Sequence, residues 1–307
     1  MMNERILLIK HGALGDIIQG FDAFASLREG YPHAHITLLT TRPYEKLMMS
    51  SRWFDEILID PRASAWNFPQ AIRIRSLFKQ NWDKVIDLQC SQRTATYARL
   101  KSRHTRWFGA YPYATDLMPD FTGITNRQRM LTSVSLAGAD KCEPDLSFLT
   151  SSARLQPNLG LTSPYVVILP SSSAAKPSKR WPIEHYIRLA ETLNDEGFQT
   201  VLSGTEADQP ITSAIAAACP ACLDLTRKPD LFFLAELAIS ASLIIGNDTG
   251  PVFLAARLNS PTLMLMGADT DPLMSAPYGE KAHWIRKDRL EQLSFEEVWK
   301  SVKTVLK

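Results

Sequence analysis

Asp16 sits in "GALGDIIQG" (12–20), directly after the apolar run "RILLIK" (5–10). Two glycines lead into one carboxylate and then into an apolar-periodic segment, the pattern of a strand turning into a helix. A helix start carries roughly half a positive charge and readily holds an anion, which Asp16 would repel. Two readings are open. Asp16 caps the helix, a position that Asp favours, or it has a catalytic role.

Three more loops carry groups of this kind. "LPSSSAAKPSKRWP" holds Ser171, Ser172, Ser173, Lys176, Lys179 and Arg180. Hydroxyls and cations on one loop suit a pyrophosphate, and an ordinary solvent-exposed loop is the alternative. In "SGTEADQ", Glu206 or Asp208 could accept hydrogen bonds from ribose hydroxyls, and helix capping explains either equally well. In "GNDTGPVFLAA", Asp248, Thr249 and Gly250 precede a proline at a permitted early helix position. Gly250 lets a phosphate or sugar approach the backbone closely. Asp269 and Asp271 have D-x-D spacing and read as turn residues rather than a metal pair. No GxGxxG follows the first strand and no Walker lysine motif occurs, which argues against NAD dehydrogenases and P-loop NTPases.

The elements that position these loops alternate strictly. Strand-like runs fall at 5–10, 35–41, 56–60, 84–89 and 105–110, then at 165–170, 200–204, 222–226, 243–247 and 262–267. They are nearly continuous in Val, Ile and Leu, as strands buried on both faces of a parallel sheet must be. Helix-like segments lie between them, among them 183–196, 230–241 and 251–259, so the fold class is α/β built from βαβ units. A Ser/Pro/Gly-rich break at 150–164 reads as a linker. It divides the chain into Rossmann-like domains over 1–155 and 160–307, expected to face each other across a cleft. The chain closes on an amphipathic helix, "SFEEVWKSVKTVLK", with a Ser294/Glu297 capping box. In open α/β sheets ligands bind beyond the carboxyl ends of the strands, where all four loops lie.

The chain has 307 residues, 45% hydrophobic and 21% charged, the composition of a soluble globular protein. No signal peptide and no run of the roughly 20 apolar residues that span a bilayer is evident, so a cytoplasmic location is expected. Cys219-Pro-Ala-Cys222 has CxxC spacing without a second pair to complete a zinc site, and unlinked thiols are favoured over a redox pair. Net charge is +2, with the basic excess in Arg73, Arg75, Lys79, Arg93, Arg99, Lys101, Arg103 and Arg106. These form either a solvated helix face or a surface for something anionic. A nucleic-acid module is disfavoured, because aromatic residues are not interleaved at a recognisable motif.

Together "ILLIKHGALGDIIQG", "VIDLQ", "KRWP", "GNDTGP" and "MGADTDP" resemble, in order and over nearly the whole chain, glycosyltransferase family 9, the ADP-heptose:lipopolysaccharide heptosyltransferases. The resemblance implies a GT-B fold and a nucleotide-sugar donor, with heptose on ADP expected. It also implies an anionic glycolipid or glycan acceptor such as lipopolysaccharide core, and peripheral contact with the cytoplasmic face of the inner membrane. It implies Asp16 as catalytic base, Lys179 on the donor phosphates, and Asp248, Thr249 and Gly250 against the donor sugar and diphosphate. Ser171, Ser172, Lys176, Glu206 and Asp208 complete the expected donor site. Gly15, Gln19, Arg93 and Arg99 form the expected acceptor site. No cofactor and no metal is expected, since cations and backbone amides can stabilise the leaving diphosphate.

Three residues depart from the family pattern. Phe253 stands where D-T-G-x-x-H expects histidine, and Gln19 and Asp22 stand where G-D-x-x-H-T-L-P expects His and Pro. They bear on the donor sugar and the acceptor more than on the fold, and Phe253 motivates a second reading, a catalytically decayed or regulatory nucleotide-sugar-binding protein of the same fold.

Overall fold

The computed structural model describes residues 3–62, 68–150, 160–171, 179–226 and 230–307. The chain divides into two compact units, one ending at Phe148 and one beginning at Leu149. Each is built on a six-stranded, all-parallel sheet.

The first unit contains β1 (Arg5–Ile9), β2 (His35–Thr40), β3 (Glu56–Ile59), β4 (Lys84–Asp87), β5 (Arg106–Gly109) and β6 (Asp116–Leu117), in the order β3-β2-β1-β4-β5-β6. The second contains β7 (Tyr165–Leu169), β8 (Gln199–Leu202), β9 (Leu223–Asp224), β10 (Leu243–Asn247), β11 (Thr262–Met266) and β12 (Ala282–Arg286), in the order β12-β11-β10-β7-β8-β9. Counted within each unit, both orders are 3-2-1-4-5-6, the doubly wound dinucleotide-binding order. Its direction reverses between β1 and β4 and again between β7 and β10. These two switch points are where a ligand crevice opens, and both are flanked by the loops picked out above.

Register follows from burial. Leu8 lies opposite Leu38 on one side and Ile86 on the other, all fully buried. Ile245 lies between Ile168 and Leu263 in the same way. Successive strand residues point to opposite faces, so unbroken apolar runs are needed to cover both. On one face of the second sheet, Val166, Ile168, Ile245 and Leu265 pack with Leu189 and Leu193 of the helix Ile183–Asp195. Val298 and Val302 of the last helix, Phe295–Val305, join the same cluster. Truncating one such leucine to alanine costs about 2–5 kcal/mol. Ser294 and Glu297 form the expected capping box at the start of that last helix.

Two strands escape the sequence reading. β6 has only two residues, and β12 is a half-exposed edge whose Trp284 is 45% exposed, so neither shows a buried apolar run. Phe148 stacks edge-on against Phe21 and Trp53 of the first unit. Residues 151–159 of the linker segment lie outside the described residues.

Candidate active site

In the first unit, β1 is followed by Lys10, His11 and Gly12, and then by the helix Leu14–Gln19. Gly12 has φ of 117°, and a Cβ there would lie 2.4 Å from Cε2 of Tyr44. Only glycine fits, on both backbone and steric grounds. The N-cap of the short helix is Ala13, which has no side-chain cap. Asp16 lies in the first turn, past the cap position, and its carboxylate turns elsewhere. Its Oδ1 accepts a 2.9 Å hydrogen bond from Nδ2 of Asn126, and its Oδ2 lies 3.9 Å from the Lys10 ammonium. The capping reading of Asp16 therefore falls.

Lys10 is 2% exposed while Asp16 is 36% exposed, so the cation sits behind a carboxylate that reaches solvent. Burial lowers the Lys10 pKa below the usual ammonium range, with Asp16 opposing that shift. Burial, and then the charge of Asp16, raise the Tyr44 phenol.

The loops around Asp16 are braced by "VIDLQ". Asp87 Oδ1 accepts from the amides of Gln89 (3.0 Å) and Cys90 (2.9 Å), and Gln89 Oε1 accepts from the amide of His11 (3.0 Å). Burial raises the Asp87 pKa despite those bonds. The Cys90 thiol is pushed up to about 11 by burial and by Asp87, which keeps it protonated and unreactive. On the other flank His11 Nε2 lies 3.0 Å from Asp60, which also accepts 2.7 Å from the Tyr97 hydroxyl.

In the second unit the site is built on the neighbouring strands β7 and β10. Asn247, fully buried at the end of β10, donates to the Pro170 carbonyl (2.7 Å) and accepts from the Trp181 amide (3.1 Å) and the Tyr186 hydroxyl (3.0 Å). That one side chain ties "KRWP" to "GNDTGP". Lys179 and Asp248 consequently meet as an ion pair, 12% and 7% exposed. Lys179 also donates to Thr270 Oγ1 (2.7 Å), and Thr270 donates to Asp248. Gly250 heads the helix Gly250–Arg257 behind its cap Thr249, where its amide has no intrahelical acceptor and the helix dipole favours an anion.

The profile of glycosyltransferase family 9 (heptosyltransferase) matches residues 72–303. The chain belongs to this family. It is 23% identical to lipooligosaccharide heptosyltransferase 2 of Haemophilus influenzae, over 92% of this chain and 88% of that protein. It is 24% identical to lipopolysaccharide heptosyltransferase 3 of Escherichia coli K12, over 87% and 83%. The solved structure of the E. coli heptosyltransferase WaaC with ADP matches with a TM-score of 0.81 at 20% identity, over 98% of this chain and 99% of that one. That likeness gives the chain the GT-B fold.

Within this glycosyltransferase, the expected site residues divide by element. Lys179, Asp248, Thr249 and Gly250 come together at the β7/β10 switch point, and Ser171 follows β7 with a buried hydroxyl that has no partner among the described residues. Ser172 and Lys176 lie outside the described residues. Asp208 accepts from the amide and hydroxyl of Thr205 (2.8 Å each), so capping is the role the structure gives it, while Glu206 is exposed. Asp271 caps the helix Pro272–Ser275 through the Leu273 amide, as a turn residue would.

In the first unit Gly15 lies inside the short helix, and the buried Gln19 folds its amide back onto the Gly15 carbonyl (3.3 Å). Arg93 is exposed near the start of the helix Gln92–Ala98 and donates to the Arg62 carbonyl (3.2 Å). Arg99 lies past the other end of that helix, stacked on Tyr113. Asp22, a departure from the family pattern, is buried in a two-pronged pair with Arg127 at 2.6 and 2.8 Å, an internal support. Phe253 is also buried, in the helix Gly250–Arg257. All four cysteines are free, and the Cys222 thiol is pushed up to about 12, first by burial and then by Cys219, which makes it a poor redox nucleophile.

Sequence reasoning missed Lys10, Asn126, Arg129 and Thr270. Lys10 and Thr270 stand inside quoted motifs, "ILLIKHGALGDIIQG" and "MGADTDP". Asn126 and Arg129 carry no motif signal, since only the fold brings them to Asp16. Among the described residues no three His, Cys, Asp or Glu side chains are grouped as a metal site would need. Among them, too, no helix is long and apolar enough to cross a membrane.

Proposed function

We propose that this chain transfers heptose from ADP-heptose to the core of lipopolysaccharide or a related anionic glycan, with Asp16 as general base. The observation that carries this reading is the Lys179–Asp248–Thr270 cluster beside the head of the Gly250–Arg257 helix, in a chain of this family. A nucleoside diphosphate needs a cation and free amides together at a strand end, and this cluster has both.

The chemistry balances with the chain's own groups. The acceptor hydroxyl gives its proton to Asp16 as its oxygen bonds to the anomeric carbon of the donor. The bond from that carbon to the diphosphate oxygen breaks, and ADP leaves with the electron pair. Lys179 and the Gly250 end of the helix stabilise the charge that develops on it. Asp248, released from Lys179, turns to the sugar hydroxyls, and Glu206 serves the ribose. Arg93, an exposed cation, is assigned to the anionic acceptor.

The decayed-site reading rests on Phe253. Asp16, Lys179 and Asp248 all stand in interacting positions, which favours the enzyme. Calorimetry with ADP-, UDP-, GDP- and CMP-sugars selects the donor, with ADP-heptose expected to bind tightest. Asp16→Asn, assayed for transfer, is expected to lose roughly 100- to 10,000-fold in turnover, the usual contribution of a positioned base. Donor affinity and melting temperature are expected to stay near wild type. Near-normal turnover in that variant ends the base assignment.

A further inference from the structure

Among the described residues Asp16 is held by one hydrogen bond, and its donor is unambiguous. Asn126 Oδ1 accepts two bonds from Arg129, from Nε (3.2 Å) and Nη2 (2.9 Å). A guanidinium only donates. The other end of the amide, Nδ2, must therefore be the end that faces Asp16 Oδ1 at 2.9 Å. Arg129 is fixed in turn by the Leu88 carbonyl (3.0 Å), one residue beyond β4, and β4 is the neighbour of β1 in the sheet. The line Leu88–Arg129–Asn126–Asp16 thus refers the carboxylate to the sheet itself.

We propose that Asn126 is a positioning residue for proton transfer: it occupies Oδ1 of Asp16 and leaves Oδ2 as the oxygen that takes the proton. The proposal rests on the reading of Asp16 as base. Oδ2 accepts no hydrogen bond among the described residues; the Lys10 ammonium lies 3.9 Å from it, beyond hydrogen-bond reach. A neutral amide fixes direction without neutralising the carboxylate, which a second direct cation would do. Helix capping does not need Asn126. The helix Asn126–Leu136 is capped by Thr125 and Gln128, and it is anchored by the fully buried Met130 and Val134.

Asn126→Asp separates positioning from support. At a pH where the new carboxylate is ionised it keeps the acceptor for Arg129 but has no proton to donate to Asp16, and Asn126→Ala removes both contacts. Both variants are expected to lower kcat roughly 10- to 100-fold, the cost of misplacing a reacting group by about 1 Å. KM for donor and acceptor should stay within about twofold. On an Asp16→Asn background, followed by mass spectrometry over long incubations, Asn126→Ala should add less than about twofold, because residues that act as a unit are not additive.

Wild-type kcat in Asn126→Asp, or a further tenfold loss on the Asp16→Asn background, overturns the proposal. If instead Asp16→Asn itself turns over normally, the base reading fails first. An intact Asn126→Asp beside an inactive Asp16→Asn sinks the positioning role alone.

Discussion

Lys179→Ala tests the donor half of the site, and its magnitude follows from the contacts. The ammonium donates to Asp248 and to Thr270, and the pair is 12% and 7% exposed. Removing one partner of a buried pair costs about 3–5 kcal/mol. Asp248 keeps the Thr270 hydroxyl and some solvent, which brings the expected loss to about 2–3 kcal/mol. For a unit of this size that lowers the melting temperature by roughly 4–12 °C. The ligand loses a charge-assisted contact worth about 1.5–3 kcal/mol, so ADP should bind roughly 10- to 150-fold more weakly. At a concentration of about 100 times the wild-type Kd, ADP stabilises by about 2.7 kcal/mol, and a thirtyfold weaker Kd leaves about 0.9 kcal/mol. Differential scanning fluorimetry with and without ADP reads both effects, and calorimetry gives Kd directly. The double variant Lys179→Ala/Asp248→Asn should regain melting temperature without regaining ADP affinity, since it removes the stranded carboxylate but restores no cation. An equal ADP-induced shift in wild type and Lys179→Ala would refute the assignment of Lys179 to the diphosphate.

Two more outcomes follow from the first unit. Burial alone would raise the Asp60 carboxyl pKa, but the hydrogen bonds of His11, Tyr97 and the Arg62 amide hold it below its ordinary 3.8. A depressed folded-state value means stability that is present above 3.8 and lost as pH falls through the folded value. Tyr97→Phe, which deletes the 2.7 Å bond, should therefore cost about 1.5–3 kcal/mol in urea unfolding at pH 7. That cost should vanish below the folded pKa of Asp60; one that does not change with pH would refute the pairing. If the exposed cations of the first unit meet an anionic bilayer, binding to vesicles containing phosphatidylglycerol should weaken with salt. It should weaken again when Arg99, Lys101 and Arg103 are reversed to Glu, because exposed charges act over about 8–10 Å at physiological ionic strength. Vesicle binding that ignores both changes leaves only a solvated face.

The sheets were legible where strands are buried on both faces. The run at β7 and the run at β10 carry little but Val, Ile and Leu, and both are strands within a residue of where periodicity puts them. β12 was not legible, because its burial alternates with exposure and Trp284 faces solvent at an edge. The donor loops were legible for a related reason: β7 and β10 are neighbours, so residues just beyond their ends must meet. Nothing local announces Asn126, which stands 110 residues from Asp16 and reaches it through the packing of one helix. Asp22 shows the opposite case. It stood out as a departure from the family pattern, yet a buried carboxylate must find a cation, and it finds Arg127 inside the same unit.

Two lysine–aspartate pairs remain to be told apart, and chain spacing does not do it. Lys179 and Asp248 bond directly with both side chains mostly buried, so neither is available until a ligand displaces the other. In the proposed reading an arriving diphosphate supplies the anion that Lys179 gives up, and the freed Asp248 turns to sugar hydroxyls. Lys10 and Asp16 stand 3.9 Å apart with only the cation buried. A carboxylate bonded as tightly as Asp248 would be a poor base, because its charge would be spent on the lysine. The distance and the unequal exposure keep Asp16 accessible, with Lys10 behind it. In the proposed reading the same two residue types serve ligand exchange in one unit and proton transfer in the other, and the separation of the charges distinguishes them.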